Sequence, residues 1–207
     1  MSQRPTLIVF VKAPRLGQVK SRLAADIGAV EATQFYRHAT ADLLRRLMPD
    51  RRWRSILAVT PDKDAGASFW PIELPRMRQG NGDLGERMAR CMAAVPPGPV
   101  VLVGSDIPDI RPRHIAKAFS EMGAADATFG PAIDGGYWLV GVRHRRVLAG
   151  MFTGVRWSTE YAVADTRANL GPGHRATLVD VLDDIDEGAA YQRWRLRRRP
   201  RPDYVKS

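Results

Sequence analysis

The hydrophobic residues of this chain fall into unbroken runs and stretches of helical spacing. Thr6-Leu-Ile-Val-Phe-Val11 is continuous and rich in β-branched residues, the pattern of a strand buried on both faces. From Val30 to Met48 the positions Ala32, Phe35, Tyr36, Ala39, Leu43, Leu44 and Leu47 recur at a helical period. Trp53 to Thr60 predicts a second strand, Pro61-Asp62 breaks it, and residues 61–82 read as irregular. Asp83 is placed to cap a helix over Leu84–Ala94, which Pro96-Pro97-Gly98 ends. Pro99-Val-Val-Leu-Val-Gly-Ser-Asp106 is the clearest buried strand, and it ends in a carboxylate. Pro112 suits the first turn of a helix running to Met122. Ala127-Thr-Phe129 and Tyr137–Val142 predict strands on either side of Asp134-Gly-Gly. A helix capped by Ser158 and reaching Leu170, a short strand at Ala176–Val179 and a last helix over Glu187–Leu196 complete the pattern.

Strands that alternate with helices predict an α/β sandwich with a largely parallel central sheet. In such sheets ligands bind outside the carboxyl ends of the strands. The length of 207 residues suits one domain, placed over residues 1–192, followed by an Arg-rich tail at 193–207. That tail carries seven basic side chains against one acidic, so it holds +6 of the net +10. The basicity is therefore local, and a nucleic-acid-binding role would act through the tail. A single cysteine, Cys91, excludes a disulfide framework and a multi-cysteine metal site. No apolar run is long enough to span a bilayer, and the expected location is the cytoplasm.

Five places could carry chemistry. The loop after the first strand offers Lys12, Lys20 and Arg22 around Pro14 and Gly17, cations suited to a di- or triphosphate, or a solvated basic loop. It is neither a P-loop nor a G-x-G-x-x-G turn. Asp106, at a strand end, could hold Mg2+ or Mn2+, or could stiffen the turn before Pro108 while Asp109 caps the next helix. Asp134-Gly135-Gly136 is either a hairpin turn or a substrate loop whose glycines admit a ligand to the backbone. Ser158 and Thr159 form either an N-cap or an anion or acceptor site. Asp184 and Asp186 share one side of an extended segment, which suits a cation or a polyol, or a turn with Asp186 capping a helix. The four histidines show no ligand spacing.

Taken in order, Lys12-x-Pro14-x-x-Gly17-x-x-Lys20-x-Arg22-Leu23, Gly82-Asp83-Leu84-Gly85-x-Arg87-Met88, Gly104-Ser-Asp106-x-Pro108, Gly130-Pro-x-x-Asp134-Gly-Gly-Tyr137, Trp157-Ser-Thr159 and Asp184-Ile-Asp186 resemble one family. It is the small bacterial GT-A-type glycosyltransferase branch of the nucleotide-diphospho-sugar transferase superfamily. That branch is similar to phospholactate guanylyltransferases and, more distantly, to molybdenum-cofactor guanylyltransferases. The resemblance implies a Rossmann-like α/β/α sandwich with a nucleotide over the first loop. Lys12, Lys20 and Arg22 would meet phosphates, with Pro14 and Gly17 shaping the loop. Asp83, Gly85 and Arg87 would lie near the base or ribose, and Asp106 would ligate Mg2+ or Mn2+. Asp134, Gly135, Gly136, Ser158, Thr159, Asp184 and Asp186 would face the acceptor or a second metal position. The sequence differs from the nucleotidyltransferases in lacking their Gly-rich first loop, and from typical GT-A enzymes in lacking a D-x-D triplet near its middle.

The expected activity is glycosyl transfer from a nucleotide-diphospho-sugar donor to a small-molecule acceptor. Lys20 and the metal would stabilise the leaving diphosphate, and Asp134 would act as general base. The alternative is guanylyltransferase-like nucleotidyl transfer from an NTP to a phosphorylated acceptor, with release of pyrophosphate.

Overall fold

A computed structural model describes residues 4–198; residues 199–207 of the Arg-rich tail lie outside the described residues. The strands are β1 Thr6–Lys12, β2 Arg54–Thr60, β3 Arg76–Arg78, β4 Val100–Gly104, β5 Ala127–Pro131, β6 Tyr137–Val142 and β7 Ala176–Leu178. The helices are α1 Ser21–Ile27, α2 Ala29–Leu47, α3 Leu84–Ala94, α4 Pro112–Glu121, α5 Ala162–Ala168 and α6 Gly188–Arg198. The strands form one sheet in the order β3-β2-β1-β4-β6-β5-β7. All pairings are parallel except those of β6, which runs antiparallel to both β4 and β5. The α/β/α sandwich with a mostly parallel sheet is the expected architecture.

The alternation of each strand divides the core. Leu7, Val9 and Val11 of β1, with Val101 and Val103 of β4, pack in one cluster with Leu43 and Leu47 of α2 and Ile115 of α4. Ile8 and Phe10, with Leu102 and Phe129, pack in a second cluster with Met88, Cys91 and Met92 of α3. This two-sided burial is why β1 and β4 read as unbroken apolar runs. A third cluster joins α1, α2 and α6 through Leu23, Phe35, Ile185 and Tyr191. Cys91 is buried on α3.

Several boundaries differ from the sequence pattern. β3 lies inside the stretch expected to be irregular; it is three residues long and held by pairing with β2. β4 ends at Gly104, two residues before Asp106, so that carboxylate stands on the loop rather than on the strand. Ser158 does not cap a helix. It has φ +59°, and α5 begins later, at Ala162, with Tyr161 at the N-cap. Arg111, rather than Asp109, holds the N-cap position of α4. α6 continues to Arg198, across residue 193, where the tail was placed. No helix among the described residues is long and apolar enough to cross a membrane.

Candidate functional site

Strand order reverses between β1 and β4: the connections proceed outward to β2 and β3 on one side and to β6, β5 and β7 on the other. The loops leaving the carboxyl ends of β1 and β4 therefore part and open a crevice, the usual ligand position in an open α/β sheet. A cavity of about 390 Å³ lies there, bordered by Lys12, Lys20, Tyr36, Arg87, Asp106 and Trp138.

Lys20 is the centre of the site. Its side chain is only 2% exposed, and its ammonium lies 2.6 Å from Asp186 and 3.3 Å from Asp106. The two carboxylates are 38% and 49% exposed. The Lys20 backbone is left-handed, φ 51° and ψ 49°, at the start of α1, a conformation uncommon for a residue with a Cβ. Burial works against the charge on Lys20, but Asp106, Asp186 and Asp184 outweigh it and raise its pKa. Asp184 answers in the opposite sense. Burial, then Asp186 and Asp134, push its carboxyl up to about 6. Asp106, Asp184 and Asp186 thus gather around one lysine, with Asp134 in electrostatic range of Asp184. Asp186 commits its carboxylate to Lys20 rather than to capping α6.

The first loop is fixed at its base. Ala13 N–H donates to Thr60 O at 2.8 Å, and Arg15 Nε donates to Asp64 at 2.9 Å. Lys12 N–H donates to the Tyr36 hydroxyl at 2.8 Å, and that hydroxyl shares a 2.9 Å hydrogen bond with Ser105. Gly17, φ +71°, serves the loop's turn, and a Cβ there would meet open space. Pro14 borders a separate apolar cavity with Phe69 and Trp70, and Arg22 is exposed outside the lining of the main cavity.

On the far wall Arg87 is held from two sides. Its Nη1 donates to Gln79 Oε1 at 2.8 Å and its Nε to Asp83 O at 3.2 Å. Gln79 in turn donates to Val11 O and Ala58 O, which ties the ends of β1 and β2 together. Asp83 forms a reciprocal cap with Glu86. Gly85 is buried against Trp157 and Phe152, where a Cβ would come within 2.6 Å of the indole. Of the motif around residues 82–88, Leu84, Arg87 and Met88 line the cavity, whereas Asp83 and Gly85 shape it from behind.

Asp134-Gly135-Gly136 is the turn of the β5–β6 hairpin, with Gly136 N–H donating to Asp134 Oδ1 at 2.9 Å. Gly135 has φ +84° and lies against the backbone of Glu160. The turn brings Asp134 within electrostatic range of Asp184, so the hairpin geometry leaves the substrate-loop reading open. Ser158 and Thr159 follow on the neighbouring segment, where the Thr159 hydroxyl donates to Arg156 O at 2.7 Å. Sequence reasoning missed Tyr36, Ser105 and Gln79. A tyrosine on an apolar helical stripe needs a partner for its hydroxyl, and that need was the available signal for Tyr36.

The donors at Lys20 fit a hard divalent ion. Asp106 and Asp186 direct oxygens to one cationic position, although no three His, Cys, Asp or Glu side chains among the described residues converge to enclose a metal. One or two carboxylates completed by phosphate oxygens and water is the usual arrangement for Mg2+.

The family described as "Uncharacterized protein conserved in bacteria (DUF2064)" matches residues 43–159. No protein of curated function matches the sequence. The structure of a "putative nucleotide-diphospho-sugar transferase" from Desulfovibrio desulfuricans G20 superposes with a TM-score of 0.76 at 30% identity, covering 90% of this chain and 84% of that one. Rv0371C of Mycobacterium tuberculosis H37Rv, solved as a complex with manganese, superposes with a TM-score of 0.55 at 17% identity, covering 92% and 97%. The inositol-1-phosphate CTP transferase from T. maritima gives 0.55 at 16% identity, covering 92% of each. The last two share the fold with this protein.

Proposed function

We propose, from the premise that the chain belongs to the DUF2064 family of bacterial proteins, that it is a transferase using a nucleotide-diphospho-sugar donor and a divalent metal, Mg2+ or Mn2+. One observation carries the reading: Lys20, buried between Asp106 and Asp186, at a strand-order switch whose cavity Lys12 also borders. Two lysine ammoniums suit the negatively charged oxygens of a diphosphate, and the cavity has room for a nucleoside.

In this reading Arg87, fixed by Gln79 and Asp83, and the apolar side chains of Leu84 and Met88 receive the nucleoside. Asp106 and Asp186 would hold the cation, which supplies neutralisation of the leaving diphosphate when bound. Lys12 and Lys20 add fixed positive charge at the same oxygens. The acceptor lies against Asp134, Gly135, Gly136, Ser158, Thr159 and Asp184. Asp134 Oδ1 is held by Gly136, and its other oxygen takes the proton from the attacking hydroxyl. The bond from the anomeric carbon to the diphosphate breaks as the bond to the acceptor oxygen forms.

Nucleotidyl transfer is the second reading, and the same pair of lysines supports it because a triphosphate needs at least as much positive charge. A thermal-shift panel with Mg2+ or Mn2+ separates the two, since a ligand of the folded state raises apparent stability by mass action. UDP-glucose, GDP-mannose and the matching diphosphates are expected to raise the melting temperature more than GTP, CTP or UTP. A shift confined to one triphosphate, with pyrophosphate released in the presence of a phosphorylated acceptor, establishes the second reading. No shift from any nucleotide overturns both.

A further inference from the structure

We infer that Lys20 is a built-in counter-ion that holds the metal position closed until a nucleotide's phosphates draw its ammonium away, so that cation and nucleotide bind as a coupled pair. The inference rests on the reading of this site as a metal-assisted nucleotide site.

The geometry is specific. The ammonium of Lys20 already occupies the point on which Asp106 and Asp186 converge, at 3.3 Å and 2.6 Å. The lysine is almost wholly buried while the carboxylates are part-exposed, so an ion arriving from solvent reaches the anions first. A divalent ion approaching these oxygens meets a like charge at contact distance. It gains only what two carboxylates offer beyond one ammonium, since no three His, Cys, Asp or Glu side chains among the described residues converge to enclose it.

A phosphate changes this balance. The lysine side chain ends in a compact charge on a flexible stem, so the ammonium can exchange its carboxylate partners for phosphate oxygens and stay ion-paired. Lys12, on the same cavity, attracts the phosphates to that side. Once the ammonium turns to the phosphate, Asp106 and Asp186 are left with uncompensated charge, reinforced by Asp184 and Asp134 close by. The freed oxygens, with the phosphate's own, then make a hard-cation site of the usual composition. By linkage, whatever factor the nucleotide adds to metal affinity, the metal adds to nucleotide affinity.

The test measures Mn2+ binding from the free-ion paramagnetic resonance signal, with the full-length protein and no nucleotide. Wild type is expected to bind Mn2+ weakly. Lys20→Met, confirmed folded by its melting curve, is expected to bind on the order of tenfold to a hundredfold more tightly, the scale of one removed like charge at this separation. Lys20→Arg, which keeps the charge, should stay near wild type. Equal Mn2+ affinity in wild type and folded Lys20→Met overturns the inference.

A second measurement needs no variant. Nitrogen-15 spectra of the wild-type lysine ammonium groups should show the Lys20 resonance unmoved by Mg2+ alone and shifted by UDP with Mg2+. Displacement by Mg2+ alone at the same concentration overturns the inference. If UDP, GDP and CDP all fail to bind wild type with Mg2+, the reading of the site as nucleotide-binding is itself what fails.

Discussion

The Tyr36 hydroxyl accepts the Lys12 N–H at 2.8 Å and meets the Ser105 hydroxyl at 2.9 Å, so one side chain of α2 joins the carboxyl ends of β1 and β4. It stands where the two loops part and is hydrogen-bonded to both. Tyr36→Phe keeps the ring but leaves a backbone N–H and a buried hydroxyl without their partner. We expect a loss of about 1–3 kcal/mol in urea denaturation, the cost of an unsatisfied buried group. Nucleotide affinity should fall with it. Burial pushes the Tyr36 phenol up to about 12, so it stays protonated through the neutral range. The variant's activity profile should therefore keep the wild-type shape at neutral pH and somewhat either side of it, and a changed shape there would show that Tyr36 titrates in function.

Arg156 closes the segment that carries Ser158 and Thr159. Its backbone N–H, Nε and Nη2 all donate to Asp165, at 3.1, 2.9 and 2.8 Å. The guanidinium also lies 3.9 Å from the centre of the Tyr161 ring. These hydrogen bonds, those of the guanidinium foremost, lower the Asp165 carboxyl to about 2. A depressed carboxyl contributes stability above its unfolded pKa, and that contribution is lost as pH falls through the folded value. Asp165→Asn should therefore melt below wild type at neutral pH, and the gap should narrow progressively below about pH 5. Calorimetry at neutral, mildly acidic and strongly acidic pH checks this. A gap that does not change with pH would mean the ionised pair contributes nothing.

The sheet and the acidic cluster were readable from the sequence for the same reason. Strands buried on both faces, such as Leu7–Val11 and Val100–Val103, declare themselves as apolar runs, and the topology then carries their carboxyl ends to one edge. Lys12 ends β1, and Lys20, Asp106, Asp134, Asp184 and Asp186 lie in segments that follow strands, so the topology brings them to one edge of the sheet. β3 was not readable, because Arg76-Met-Arg78 has no apolar pattern and exists through its pairing with β2. Ser158 was misread because a capping residue is recognised by the helix after it. Here Thr159 and the Arg156–Asp165 pair interpose a turn before Ala162. Gln79 gave no signal at all, because its partners are the main-chain carbonyls of Val11 and Ala58, distant in sequence.

Gly135 shows a close approach that a substitution can test. A Cβ there would lie 2.3 Å from Glu160 Cα and 2.4 Å from its carbonyl oxygen, at φ +84°. Both obstacles are backbone, so neither can rotate aside. Gly135→Ala should cost roughly 2–4 kcal/mol, combining the left-handed penalty with overpacking. Gly17 shares the positive φ but faces open space, so Gly17→Ala should cost only about 1–2 kcal/mol. Urea denaturation of the two variants side by side gives the comparison. Equal costs would show that the hairpin turn can move off the 158–160 segment, and would remove Gly135 as the device that places Asp134.

The last helix has two candidate fastenings, and they predict different things. Arg193, Arg195 and Arg197 pair with Asp183, Glu31 and Asp109 at 3.6–3.7 Å through side chains about half exposed. Exposed pairs of this kind contribute about 0–1 kcal/mol each. Trp194 instead meets Phe35 edge-on at 5.0 Å and stacks on Tyr191 at 5.9 Å. Trp194→Ala should therefore cost about 2–3 kcal/mol, discounted from a full core deletion because the ring is half-buried. The triple Arg→Ala variant at 193, 195 and 197 should cost less than Trp194→Ala and leave nucleotide-induced melting shifts unchanged. A larger loss from the arginines, together with a lost nucleotide shift, would make their ion pairs to Asp183 and Asp109 a brace for the loops that carry Asp184 and Asp106. The same variant bears on the basic tail: any nucleic-acid affinity of the full-length protein that is unchanged by it, and insensitive to salt, does not arise from these arginines.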